Sequence, residues 1–152
     1  MFLYFVKQDS GSLSLYARKI GITSTFLATT LGTVAALGLS RPHMPYKGLI
    51  MAILISPMIV PLIITAAGMF FFYARINLVY TFTGVILAHV ALATPFVVIT
   101  VTATLVGFDM NMVKAAQSLG AKPMKTFFKV IMPLILPGII SGALFAFITS
   151  FD

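Results

Sequence analysis

An all-α, polytopic bundle of membrane helices is the fold class this sequence predicts, and three observations predict it. Of the 152 residues, 60% are hydrophobic and only 9% charged, with a mean hydropathy of +1.09; a soluble domain carries about 25% charged residues. The apolar residues fall in runs of about twenty or more, enough at ~1.5 Å per residue to cross a hydrocarbon core of about 30 Å. The few charges collect between those runs.

The balance of charge is +7, ten Lys and Arg against Asp9, Asp109 and Asp152. On a soluble protein that would suggest nucleic acid, but here the basic residues form no single soluble face, so no nucleic-acid partner is expected. They set topology and touch anionic membrane lipid instead. With no cysteine there is no disulfide framework and no thiolate metal or redox site, and His43 and His89 are too isolated to form a cluster. There is no Glu, no phosphate-cradling glycine-lysine loop and no zinc-protease or serine-hydrolase signature. No catalytic residue, cofactor or metal is therefore expected.

Taken in order, residues 1–19 read as an extracytoplasmic or interfacial tail. Gln8, Asp9, Ser10, Gly11 and Ser12 make a turn-forming polar cluster, and MFLYFV is too short to span and lacks the basic flank of a signal peptide. It reads as the remnant of a longer upstream segment. The transmembrane domain is 20–152. Its first span is expected at about 20–39, with Ala28, Gly32 and Ala36 forming a small-residue stripe that permits close helix contact.

Arg41, Pro42, His43, Pro45 and Lys47 make a basic turn, and a second span follows at about 48–73. Pro57 and Pro61 interrupt it, freeing backbone groups that neighbours or a water-lined cavity must satisfy. Arg75 and Asn77 mark the next turn, and a third span covers about 78–106. That length requires tilt or a bend, with Thr94-Pro95 the expected place. His89 lies inside this span: it is a pathway candidate as an intramembrane ionisable residue, or a neutral imidazole held by a helix-to-helix hydrogen bond.

Residues 107–133 are polar enough to leave the membrane. Asp109 or Asn111 can cap a short helix whose Met112, Ala115, Ala116 and Leu119 share one face, with Lys114, Gln117 and Ser118 opposite, and Gly120 supplies a left-handed stop. Pro123 opens a second helix in which Met124, Phe127, Phe128 and Ile131 oppose Lys122, Lys125 and Lys129, and Pro133 ends it. The last span is expected at about 134–152, with Gly138, Gly142, Ala146 and Ser150 as a second packing stripe. The chain then stops at Asp152 without a polar flank, which reads as a truncated fragment.

This loop resembles the cytoplasmic "EAA" coupling loop of ABC-transporter permeases. The matching residues are Ala115, Ala116, Gly120, Ala121, Phe127, Val130, Pro133, Pro137 and Gly138, and Lys114 stands where the family has glutamate. Further segments are similar to the polyamine (spermidine/putrescine) branch of these permeases: Leu31–Arg41, Ile55–Pro61, Leu87–His89, Thr94–Leu105 and Gly142–Asp152. The resemblance implies a type I importer permease in a bacterial inner membrane. Its partners would be cytoplasmic ABC ATPase subunits, a second permease subunit and an extracytoplasmic substrate-binding protein. ATP hydrolysis would then belong to another chain.

Under that reading Lys114, Ala115, Ala116, Gly120 and Ala121 form the ATPase-coupling surface. With the loop cytoplasmic, six basic residues lie inside against four outside, in line with the positive-inside rule. Asp152 is a candidate partner for a cationic substrate, or else a capping or pairing residue. An ion-gradient-driven secondary transporter is the alternative that broken helices and His89 would suit, but it has no need of the loop.

Overall fold

The computed structural model describes residues 2–41, 44–107 and 109–150; Asp152 and His43, both singled out above, lie outside them. The described residues form helices and turns only. Helix α1 spans Phe2–Leu39, α2 Lys47–Ile59, α3 Leu62–Arg75, α4 Phe82–Val106, α5 Met110–Ser118 and α6 Pro123–Thr126; a π-turn at Phe127–Ile131 then leads into α7, Met132–Thr149. Three stretches, Leu15–Leu39, Phe82–Val106 and Pro123–Thr149, are long and apolar enough to cross a membrane, and a fourth is present if α2 and α3 are one broken span.

The turn expected over Gln8–Ser12 does not form, since α1 runs through it from Phe2. No proline precedes Pro42, and a lone glycine inside a helix costs only about 1 kcal/mol against alanine. Gly11 alone is too weak a breaker to stop α1, even with Asp9, Ser10 and Ser12 beside it.

Proline decides where α2 stops. Pro57 is accommodated inside α2, but Val60 is extended (φ −73°, ψ 135°) and Pro61 precedes α3. The residue before a proline is pushed out of the α region by the ring, so the helix ends at Ile59. The chain bends by 103° between the two arms. Neither has a buried residue, so Ile53, Ile59, Leu62, Ile63 and Phe71 present bare apolar side chains.

Helix α4 is the centre of the bundle, packed by α1 on one side and α7 on another. Thr81 caps it, its hydroxyl accepting from Gly84 N–H at 3.0 Å and donating to the Leu78 carbonyl at 2.7 Å. Val97, Val98 and Val101 are fully buried, with Ala28 and Ala36 of α1 and Ala146 of α7. Both small-residue stripes are interfaces: Gly32, Gly138 and Gly142 are buried too. A Cβ added at Gly32 would lie 2.6 Å from Val97 Cβ, and one at Gly142 2.9 Å from Val97 Cα. In lipid there is little hydrophobic drive between helices, so close backbone approach and its dispersion contacts hold them together.

Helix continuity across Pro133 departs from the sequence expectation. Instead of ending there, the helical path from Pro123 continues to Thr149. Met132 N–H donates to the Phe127 carbonyl, five residues back. In a regular α-helix the Pro133 ring would press on the carbonyl four residues earlier, at Lys129. Widening the turn by one residue relieves that clash.

Candidate functional site: the loop between α4 and α7

The loop is built from local hydrogen bonds that the sequence dictates. Asp109 is extended, and its Oδ1 accepts from Asn111 N–H at 2.9 Å, so Asp109 rather than Asn111 caps α5. Its carboxylate also sits favourably at the positive end of the helix. Ser118 bonds back to the carbonyls of Lys114 and Ala115, each at 3.0 Å.

At the other end, Gly120 adopts φ +79°. Ala121 N–H donates to the Ala116 carbonyl at 3.1 Å and Gly120 N–H to the Gln117 carbonyl at 2.9 Å. Those are the six-to-one and five-to-two bonds of a Schellman closure. A Cβ at Gly120 would meet nothing within 4 Å. Glycine is needed here for its backbone, not for space.

Two residues later Lys122 is again extended and Pro123 opens α6, where a missing N–H leaves nothing unpaired. Thr126 is buried, its hydroxyl reaching the Lys122 carbonyl at 3.3 Å. Helix α5 packs on α6 and the π-turn. The result is a compact hairpin of two short helices whose second arm is covalently and helically continuous with a membrane span.

Of the sequence-selected residues, the structure brings five together. Lys114, Ala115 and Gly120 are exposed, while Ala116 and Ala121, joined by the Schellman bond, are half-buried. Beside them Leu119 is 89% exposed and Met112 52%. The apolar face that Met112 and Leu119 share is therefore bare among the described residues. Phe127 is half-buried but Phe128 is exposed, so only one of the two phenylalanines faces the bundle.

His89 is elsewhere, half-buried in α4. Seventeen residues separate it from Val106 at the end of that helix, a rise of about 26 Å. It has no hydrogen-bond partner among the described residues. Sequence reasoning missed the π-turn. Its only signal is the Pro133, Pro137 pair four residues apart at the start of a helix.

Residues 28–152 match the family described as the binding-protein-dependent transport system inner membrane component. The chain is 32% identical, over 91% of its length, to the spermidine/putrescine transport system permease protein PotC of Haemophilus influenzae, and covers 54% of that relative. It is 30% identical to PotC of Escherichia coli K12, covering 88% of the chain and 50% of the relative. It is also 32% identical to the trehalose transport system permease protein SugB of Mycobacterium tuberculosis, covering 88% of the chain and 48% of the relative. The chain thus spans about half the length of these relatives. With the match running from α1 to the end of the sequence, the chain belongs to the family of inner-membrane components of binding-protein-dependent transport systems.

Proposed function

We propose that the chain is the transmembrane permease part of an ATP-driven importer, and that the loop from Asp109 to Ile131 transmits motion from a partner ATPase to the membrane helices. The observation that carries this is the unbroken helical path from Pro123 to Thr149, hinged to α5 by the Schellman closure at Gly120. A push on α5 reaches α7 through few soft dihedrals. Ala115 and Gly120 expose little side chain, so a partner's cleft can approach the backbone closely, and bare Leu119 and Met112 offer it apolar contact. The exposed side is the cytoplasmic one in this reading, and hydrolysis occurs on the ATPase.

Polyamine is the substrate class we assign. Its support is the PotC relatives together with the segments at Leu87–His89 and Thr94–Leu105. His89 and Asp152 are the proposed pathway residues. A second permease subunit and an extracytoplasmic binding protein complete the assembly. The ion-gradient alternative loses its support to the family match, since that family works with a binding protein.

The test is co-purification of an ATPase with the full-length protein from native membranes. Gly120→Trp should abolish capture, whereas Gly120→Asn, which tolerates the left-handed backbone, should retain most of it. Equal capture by the Trp variant would overturn the docking reading.

A further inference from the structure

Helix α5 shows which of its sides a partner meets. Among its described side chains only Val113 and Ala116 are half-buried, and the others are exposed. Those two turn toward α6 and the π-turn, on which α5 packs. At about 100° per residue the outward direction passes between Asn111 and Ser118, with Lys114 and Ala115 about 50° to either side. Ser118 turns its hydroxyl back on the carbonyls of Lys114 and Ala115. Lys114 is the only charged residue of α5, and it forms no ion pair among the described residues.

The surroundings decide the sign of what Lys114 can meet. Residues 107–133 hold four lysines against one aspartate, and Asp109 already gives Oδ1 to the α5 cap. A basic partner surface would therefore be repelled. A partner seated on α5 also takes water from Lys114, and an ammonium group desolvated without a counter-charge is costly. Exposed Ala115 beside it lets the partner come close enough for that to matter. Lys114 stands where the permease family has glutamate, so an ATPase surface shaped to meet a glutamate presents the wrong sign here, and specificity built on such a mismatch rejects a partner as effectively as new contacts attract one.

We propose that Lys114 selects the partner ATPase by charge: the cleft that receives α5 carries an aspartate or glutamate facing Lys114, and ATPases built to receive a glutamate at this position are rejected. The inference rests on the docking reading of α5 given above and adds to it the sign of the contact and the residue that makes it.

The experiment uses the full-length protein in nanodiscs of phosphatidylcholine and, as probe, the ATPase that co-purifies with it, isolated and added back. Lys114→Glu should weaken rebinding at least ~10-fold at low salt, because like charges then face each other, and added salt should narrow the gap by screening them. Lys114→Arg should retain binding. A carbodiimide, which joins an amine to a carboxylate, should link Lys114 to one acidic residue of the ATPase, and that link should be missing in Lys114→Arg although the complex forms. If Lys114→Glu binds as tightly as the unmodified chain while Gly120→Trp does not bind, the charge assignment is overturned and the docking reading stands. If Gly120→Trp binds as well, or no ATPase co-purifies, the docking reading falls and the charge assignment with it. An effect of Lys114→Glu that appears only when the nanodisc holds anionic lipid also overturns the proposal, since Lys114 then meets lipid.

Discussion

Gly142 of α7 lies directly against the backbone of Val97 in α4: a Cβ added there would be 2.9 Å from Val97 Cα and 2.6 Å from Thr100 Oγ1. Val97 is touched from the α1 side by Gly32 as well, so one valine sets the spacing of all three packed helices. Gly142→Ala should therefore lower stability by about 1–3 kcal/mol, the usual penalty of overpacking. Gly38→Ala meets nothing within 4 Å and should be neutral or stabilising. Thermal melting of the two purified variants in detergent checks the opposite signs.

The Schellman closure makes a separate prediction. Because Gly120 combines φ +79° with open space around its Cα, Gly120→Ala should weaken the loop by about 1–2 kcal/mol, the strain of a left-handed non-glycine residue. Gly120→Asn should cost less. Hydrogen exchange at the amides of Gly120 and Ala121, whose acceptors are the Gln117 and Ala116 carbonyls, reads the effect without any partner present.

At the opposite end of α5, Asp109→Ala removes the acceptor for Asn111 N–H. Loss of an N-cap is worth about 1 kcal/mol, and α5 has only nine residues. Exchange in its first turn should rise about fivefold while α4 and α7 are unaffected. If exchange is unchanged, the cap does not hold the helix.

The π-turn is the joint between loop and span. Restoring an N–H with Pro133→Ala removes the reason for the wide turn, and the segment Phe127–Ile131 should relax to a regular helix. That shortens the register of everything before it by one residue relative to α7. The expected outcome in the full-length transporter is several-fold less uptake per ATP hydrolysed, with ATPase capture preserved. Uptake and hydrolysis measured together in proteoliposomes check it; an unaltered ratio would show that the π-turn plays no part in coupling.

Much of this arrangement is legible in local chemistry. Asp109, Gly120 and Pro123 act within a few residues of themselves, so their roles as cap, left-handed stop and first helical residue follow from type and position. The stripes through Gly32 and Gly142 were readable as small-residue spacings, though not which helix each would meet. What escaped depends on competition over longer distance. Gly11 did not stop α1, because a single glycine costs a helix only about 1 kcal/mol, and Pro133 did not stop the helix at Ile131, because a wider turn was available. The bareness of Leu119 could not be read either, since an apolar residue at helical spacing looks the same whether its partner is in this chain or in another.

Hydroxyls on α1 and α4 give the last prediction. Ser24 is fully buried and Thr102 nearly so, yet neither Oγ of Ser24 nor Oγ1 of Thr102 has a hydrogen-bond partner among the described residues. Thr94 and Thr104, on the same helix as Thr102, bond back to the carbonyls four residues earlier. An unmade hydrogen bond at a buried hydroxyl costs about 1–3 kcal/mol, so replacing the group by one of similar shape removes a penalty and loses no bond. Thr102→Val and Ser24→Ala should thus be neutral or stabilising in thermal melts of the isolated protein. If both variants melt lower, the hydroxyls are satisfied by ordered water or a neighbouring chain, and the buried seam between α1 and α4 is wetter than its packing implies.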